Sequence, residues 1–219
     1  KPFIAANQRN QTSKGSENSS SSTSGGYYFY DFNGKINHKI NEKHRLYLSN
    51  YMGRDKAYLD FDVNYNIDSL AQSENSQSEL SWGNIISALR WNYMLNNKVF
   101  INTTLRYSKY DFLISLGNET QSVNNANNSS ITNIRNYSYA YLSNIEDWSA
   151  KVDVDWMPNP DHLVKFGVGD IYHTFIPGVT TIDFGSADTS IGLNYGGQNH
   201  YAHEVSFYGE DDWKVNKNL

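Results

Sequence analysis

Residues 148–174, WSAKVDVDWMPNPDHLVKFGVGDIYHT, decide the fold. From 148 to 156, Trp, Ala and Val occupy the even positions, while Ser, Lys and Asp occupy the odd ones. The segment 157–161 contains two prolines, after which the alternation resumes through Val164, Phe166 and Val168. Successive side chains of a strand point to opposite faces. The stretch therefore predicts a β-hairpin with one apolar and one polar face.

The same unit, two alternating strands joined by a turn of about four residues, recurs along the chain. The predicted strands are 27–40, 45–55, 82–93, 99–113, 148–156, 162–174 and 203–215. Stretches rich in Ser, Asn and Gln separate the hairpins, and residues 1–26 share that composition, so all of these are predicted to be loops. Short turns at one end and long loops at the other are typical of an outer-membrane β-barrel. We therefore expect an all-β fold, in which residues 1–219 form about seven strands of one antiparallel transmembrane barrel.

The composition agrees with this fold class. The mean hydropathy is −0.66, which a barrel strand tolerates because only every second residue must be apolar. The chain has no apolar run of about 18 residues, so it has no transmembrane-helix signal. Seventeen Tyr and an aromatic content of 15% suit a membrane interface. A net charge of −5 without a Lys/Arg cluster argues against a nucleic-acid partner.

Four tryptophans are predicted to face lipid. Trp91, Trp156 and Trp213 share the apolar parity and lie a few residues before a predicted turn or at the end of the last strand. Trp148 lies eight residues before Trp156 on the same face, about 26 Å along a strand and about 20 Å along the membrane normal after a tilt of about 40°. Two aromatic girdles fit this spacing. A soluble β-sandwich also alternates, but it requires neither matched Trp positions nor alternating short and long connections.

The opposite parity carries the candidate substrate path. We expect polar and aromatic side chains on it to face the barrel lumen and, with the predicted loops 56–81 and 118–144, to line or gate the path. These candidates are Tyr47, Tyr51, Trp82, Arg90, Arg106 and Tyr110. Gly167 and Gly169 also share the polar parity. They are compatible with local strand twist or with close approach of another backbone.

The sequence offers no catalytic constellation. Asp153 and Asp155 lie on the polar parity beside Lys151, and an open polar lumen would not separate the pKa values of the two carboxyls as a catalytic pair requires. His200 and His203 are three residues apart, which places them on opposite faces of a strand. The chain has no Cys. We expect no catalytic residues, no metal site and no cofactor, and hence a protein that is not an enzyme.

Several strands resemble a known family. The likeness lies in 28–40 (YFYDFNGKINHKI), 45–55 (RLYLSNYMGRD), 82–93 (WGNIISALRWNY) and 204–219 (EVSFYGEDDWKVNKNL). These segments resemble the barrel of TonB-dependent outer-membrane transporters. The resemblance is closer to transporters with an N-terminal carboxypeptidase-regulatory-like domain than to the starch-utilisation type.

The resemblance implies a barrel of twenty-two strands, plugged by an N-terminal domain. It implies import of a scarce nutrient, driven by the TonB energy-transducing complex acting through that plug. Further implied partners are outer-membrane lipids, lipopolysaccharide and, in some members, a surface lipoprotein. This chain lacks the plug and the TonB-contacting segment, so we expect it to be an internal part of a larger transporter. The alternatives are a passive porin or adhesin-type barrel, and a soluble carbohydrate-binding β domain.

Overall fold

A computed structural model describes residues 5–14, 19–126 and 129–215, with side chains described from 19 to 125 and from 130 to 215. Over these residues the chain is all-β, and the predicted fold class, an antiparallel sheet, is confirmed. The strands are β1 (Ala5–Lys14), β2 (Ser19–Lys39), β3 (His44–Ile67), β4 (Leu70–Asn96), β5 (Val99–Ala126), β6 (Ser129–Asn159), β7 (His162–Ser186), β8 (Ser190–Tyr195) and β9 (His200–Trp213). Among the described residues, no helix has the length and apolar character needed to cross a membrane.

Consecutive strands pair from β1 to β8, and β9 pairs with β7. Strands β8 and β9 both pair with the same edge of β7, one after the other along it. Thr180 pairs with Tyr195 in β8, and Phe175 pairs with His200 in β9, without a change of register. Residues 176–179 of β7 are unpaired on that side. On the other side, the register with β6 shifts between Leu142 and Asn144. Pro177 lies at this point and has no N–H for a ladder hydrogen bond, which explains why the pairing breaks there.

The predicted strands exist, but most of them are longer than expected and two strands were missed. The prediction of a loop over 1–26 was wrong for its described part, because 5–14 form β1 and 19–26 begin β2. The predicted loop 56–81 forms strands with a two-residue turn at 68–69, and the described parts of 118–144, residues 118–126 and 129–144, are strands as well. The strand expected at 203–215 runs from His200 to Trp213. The described residues therefore contain nine strands rather than about seven.

Polar side chains support pairing in these longer strands. Ser22 donates to Asp62 at 3.1 Å, and Asn118 donates to Glu74 at 2.9 Å. The backbone ladder itself does not depend on side-chain polarity, since each residue contributes one N–H and one C=O. Ser- and Asn-rich composition, read as a loop signal, is therefore compatible here with an extended β-hairpin.

Neighbouring residues on β5 define the two faces of the sheet. The Leu105 face carries Leu48, Leu89 and Leu105 in one cross-strand row. The Arg106 face carries Ala88, Arg106 and Ser149 in another. We refer below to the turn half, which adjoins the short turns at 40–43, 97–98 and 160–161, and to the tip half, which adjoins the turn at 68–69.

Polarity reverses between the two halves of the sheet. In the turn half of β3, the Leu105 face is apolar, with Leu46, Leu48 and Met52. In its tip half, Leu59, Phe61 and Val63 lie on the Arg106 face, while the Leu105 face carries Asp60 and Asp62. Strand β5 shows the same reversal, with Ile101 and Leu105 in the turn half and Ile114 and Leu116 in the tip half. The same strands are therefore built for two different surroundings.

The turn between β2 and β3 is held by one side chain. Asn41 Oδ1 accepts hydrogen bonds from the backbone N–H of Lys43 at 2.8 Å and of His44 at 2.9 Å. Lys39 Nζ lies 2.6 Å from Glu42 and lowers the pKa of that exposed carboxyl. Asn41 is thus the residue whose side chain replaces missing backbone partners in the turn.

Replacing Asn41 with alanine is expected to lower the free energy of unfolding by about 1 kcal/mol, because two backbone donors lose their acceptor. Solvent at the turn limits the loss. Urea unfolding of the protein in lipid vesicles would measure the change. Asn37→Ala, in the adjacent strand and without a hydrogen bond to the turn, serves as the control, and an equal effect of both substitutions would contradict this role for Asn41.

Candidate functional site: the Arg106 face

A cavity of about 400 Å³ lies on the Arg106 face in the turn half of the sheet. Four cationic side chains and two carboxylates, Asp153 and Asp170, border it, and small or hydroxyl side chains leave the space between them open. The cations are Lys35, Arg90, Arg106 and Lys151, and the smaller residues include Thr104, Ser149, Gly169 and Ser206. The register explains this convergence, since Thr104 pairs with Arg90 on one side and with Lys151 on the other.

The structure brings together three of the six substrate-path candidates. Tyr47, Arg90 and Arg106 border the cavity, and the Arg90 guanidinium carbon lies 5.3 Å from the centroid of the Tyr47 ring. This distance suits a cation–π contact. The arrangement presents guanidinium groups beside an aromatic ring, which suits a ligand that is both anionic and partly planar.

The other three candidates lie on the same face but outside this cavity. Tyr51 donates to Asp31 at 2.7 Å. Tyr110 pairs with Asn84, and Trp82 pairs with Phe112 towards the tip half. Their lumen-facing role remains a prediction.

Lys35 and Lys151 were not among the sequence-predicted site residues. Both lie on the polar parity of their strands, and this parity is the one sequence feature that could have suggested them as site residues. Lys35 lies in the same cross-strand row as Ser49 and Ala88, and Lys151 lies beside Thr104. Only the register shows that they border the same cavity as Arg90 and Arg106.

Gly167 is explained by a neighbouring side chain. A Cβ at Gly167 would collide with the ring of Tyr208 and would lie 2.7 Å from Asp153 Oδ1. The Tyr208 hydroxyl donates to Asp153 at 2.8 Å, and Lys151 Nζ lies 5.2 Å from the Tyr208 ring centroid. Because residue 167 has no side chain, the Tyr208 ring of β9 fits beside it and contacts the Lys151–Asp153 ion pair of β6.

The four tryptophans of the predicted girdle lie on the Leu105 face. Trp148 pairs with Tyr107 and Tyr172, and its ring centroid is 4.7 Å from that of Tyr107. Nearer the turns, Trp91 stacks with Tyr93 at 5.6 Å, and Trp213 stacks with His162 at 5.4 Å. Trp156 pairs with Val99 and Val164 at the same end. Aromatic side chains therefore border both ends of one apolar band.

Charged side chains begin on the Leu105 face where this band ends. Arg54 Nη2 lies 2.6 Å from Asp111 Oδ2, two strands away, and Lys56 Nζ lies 2.7 Å from Glu79. Gly83 pairs with both Arg54 and Asp111, and its missing side chain leaves a path for the arginine across β4. The Glu79 carboxylate raises the pKa of Lys56. This level coincides with the reversal of polarity in β3.

The apolar band contains polar pairs. Ser87 donates to Asn50 at 2.6 Å in the row of Trp148, and Asp170 contacts His203. Asp170 pairs across the sheet with Ala150, and its Oδ2 lies 2.9 Å from His203 Nδ1. Nearby, a concave region of about 600 Å³ is bordered by Leu48, Leu89 and Trp148. The polar groups of each pair satisfy one another, which reduces the cost of placing them on an apolar surface.

Within the part of the chain that the structure describes, no three His, Asp or Glu side chains come together as metal ligands. The expected absence of a metal, a cofactor and catalytic residues stays a prediction. The assembled groups are suited to binding through charge and hydrogen bonds.

No protein-family model and no curated protein matches the chain. Among solved structures, it is similar to the siderophore receptor PiuA from Acinetobacter baumannii, with 6% identity, a TM-score of 0.26, and coverage of 99% of this chain and 48% of that one. It is also similar to the ferric yersiniabactin uptake receptor FyuA from Yersinia pestis, with 10% identity, a TM-score of 0.27, and coverage of 99% and 44%.

A third similar structure is OmpT, an outer membrane protein of Vibrio cholerae, with 7% identity, a TM-score of 0.15, and coverage of 96% of this chain and 89% of that one. This chain spans less than half the length of the two receptors. Similarity at these TM-scores decides neither family nor function.

Proposed function

We propose that this chain is part of the wall of an energy-coupled, TonB-dependent transporter in the bacterial outer membrane, which imports a scarce nutrient. The observation that carries the proposal is the division of the sheet into two faces. One face has an apolar band between two sets of aromatic side chains, and the other has a polar cavity bordered by four cations and two carboxylates.

The reversal of polarity supports a membrane setting. The aromatic-bordered band on the Leu105 face is suited to lipid, which transmembrane barrels contact over a height of about 25 Å. Beyond the charged pairs Arg54–Asp111 and Lys56–Glu79, the same face becomes polar, as expected for a wall that emerges into water. A soluble sheet with one buried face would keep its apolar side chains on that face along the whole strand.

The first test uses the full-length protein from its native membrane. Extraction in detergent, followed by native mass measurement, is expected to give a detergent-dependent particle several times heavier than the 25.0 kDa of this chain. A particle near 25.0 kDa that stays monodisperse without detergent would contradict the proposal and favour a soluble binding domain.

Energy coupling needs a separate experiment. Uptake by cells is expected to stop when the proton gradient is collapsed or when TonB is removed. Uptake that continues under both conditions would favour the passive porin, which shares the barrel wall but has no plug. The closer relation to carboxypeptidase-regulatory-like transporters, the plug and a surface lipoprotein partner belong to the same proposal and depend on the sequence outside this chain.

A further inference from the structure

Charge is segregated across the Arg106 face in the turn half of the sheet. In the described segments 33–39, 45–53, 84–96 and 99–110, every charged side chain on this face is a cation, and the first carboxylate on the tip side is Asp31, in the row of Gly53 and Tyr110. The cations are Lys35, Lys39, Arg45, Arg90 and Arg106. On β6, β7 and β9 the same face carries mainly carboxylates. These are Asp147, Asp153, Asp155, Glu204, Glu210 and Asp212, beside Lys151 and Lys165.

Some carboxylates of the acidic part form ion pairs within the sheet. Lys165 Nζ lies 3.1 Å from Glu210, and Lys151 Nζ lies 2.8 Å from Asp153. The His173 ring lies 2.8 Å from Asp147. These contacts hold several carboxylates in place, and because six carboxylates face two lysines and one histidine, this part of the face keeps a net negative charge.

The cationic part has no such compensation near the cavity. Among the described residues, none of Lys35, Arg90 and Arg106 lies within 4.0 Å of a carboxylate oxygen. The Arg90 guanidinium lies over the Tyr47 ring. Uncompensated cations on one low-dielectric wall create a positive potential that concentrates anions.

The register brings these cations within reach of one small molecule. Arg90 and Lys151 are separated by one strand, with Thr104 between them, which places their backbones about 10 Å apart. Arg106 lies two residues from Thr104 along β5. Long side chains can therefore converge over Thr104 and Ser149, whose hydroxyls supply further donors. The cavity of about 400 Å³ lies within the range of ligand sites.

We propose that this cationic cluster, formed by Lys35, Arg90 and Arg106 with the Asp153-paired Lys151 at its edge, binds a small solute with two or more carboxylate or phosphate groups. The inference rests on the proposed function and specifies its substrate class as a polyanion. Guanidinium groups bind both chemistries through paired N–H donors. The neighbouring carboxylates on β6 and β9 repel the same solute and confine it to the cationic part of the face. Tyr47 holds the Arg90 guanidinium beside the cavity.

The test is calorimetric titration of the full-length protein in neutral detergent with inorganic pyrophosphate and with tricarballylate. At least one probe is expected to bind, with an affinity that falls as salt rises, because exposed charges are screened. Replacing Arg90 or Arg106 with glutamine is expected to weaken binding about tenfold or more, the scale of one charge-assisted hydrogen bond. Arg106→Lys should retain most of the affinity, since it keeps the charge.

Lys109→Gln is the matched control. Lys109 lies three residues from Arg106 on the same strand but on the Leu105 face, so this substitution removes the same charge from the other side of the sheet. The Lys109→Gln variant is expected to bind the probes with the same affinity as the wild-type protein. Absence of binding by both probes, or an equal loss in Lys109→Gln and Arg106→Gln, would overturn the assignment.

The outcome is separable from that of the proposed function. Polyanion binding by a protein whose uptake does not depend on TonB would support the cluster and contradict energy coupling. TonB-dependent uptake by a protein that binds neither probe would support energy coupling and contradict polyanion binding by the cluster. Preference for pyrophosphate or for tricarballylate identifies phosphate or carboxylate as the recognised group.

Discussion

Replacing Leu105 with arginine is expected to destabilise the protein in a bilayer by about 1–3 kcal/mol, because Leu105 lies between the centre of the apolar band, where an arginine costs about 2–4 kcal/mol, and the Trp148 level, where the cost falls towards about 0–1 kcal/mol. Leu105 is 51% exposed and lies between Leu89 and Ala150 in the apolar band. It is six residues beyond the start of β5, about 15 Å along the membrane normal after strand tilt. A guanidinium there would be placed in hydrocarbon.

Thr104→Arg is the paired control. Thr104 is the preceding residue on β5 and lies on the Arg106 face, which is predicted to be wet. The same new side chain is therefore expected to cost about 1 kcal/mol or less, because water screens its repulsion by Arg90 and Lys151. Denaturant unfolding of both variants in vesicles measures the difference. If Leu105→Arg is as stable as Thr104→Arg, the Leu105 face does not contact lipid and the membrane assignment fails.

Gly167→Ala is expected to destabilise the protein by about 1–3 kcal/mol, the usual cost of overpacking. The added methyl group would occupy the position of the Tyr208 ring and would lie 2.9 Å from the carbonyl oxygen of Val152. Displacing the ring also removes the Tyr208–Asp153 hydrogen bond. Because one of the contacts is with backbone, side-chain rotation alone cannot relieve the collision.

Gly209→Ala provides the comparison. Gly209 follows Tyr208 on β9, and a Cβ there would meet nothing within 4 Å among the described atoms. Alanine at 209 is expected to be neutral or to stabilise by up to about 1 kcal/mol, because it reduces the freedom of the unfolded chain. Thermal and urea unfolding of the two variants measure the contrast. Equal stability would mean that the Tyr208 ring does not occupy the space above Gly167.

The sequence predicted the faces of the strands better than their lengths. Side-chain parity is a local property with a period of two, so Leu48, Leu89 and Leu105 could be assigned to one face without knowing their neighbours. Strand ends depend instead on whether a partner strand continues alongside. The Ser- and Asn-rich residues 19–26 and 70–79 pair with β3, which their composition alone does not indicate.

The site was only partly predictable for the same reason. Arg90 and Arg106 stood out as cations on the polar parity, but Lys35 and Lys151 became candidates only when the register placed them beside the same cavity. The explanation of Gly167 likewise required the pairing of β7 with β9. Cross-strand neighbours more than thirty residues apart in the chain leave no periodic signal.

The reversal of polarity along β3 and β5 has a consequence for biogenesis. In the proposed setting, the tip half of each hairpin must cross the bilayer before the wall is complete, and it carries Lys56, Asp60, Asp62 and Glu79 on one face. An uncompensated charge in hydrocarbon costs several kcal/mol. Unassisted insertion would therefore be slow even though the finished wall is stable, so the rate at which the protein matures should depend on assembly machinery that shelters the hairpin tips during their passage.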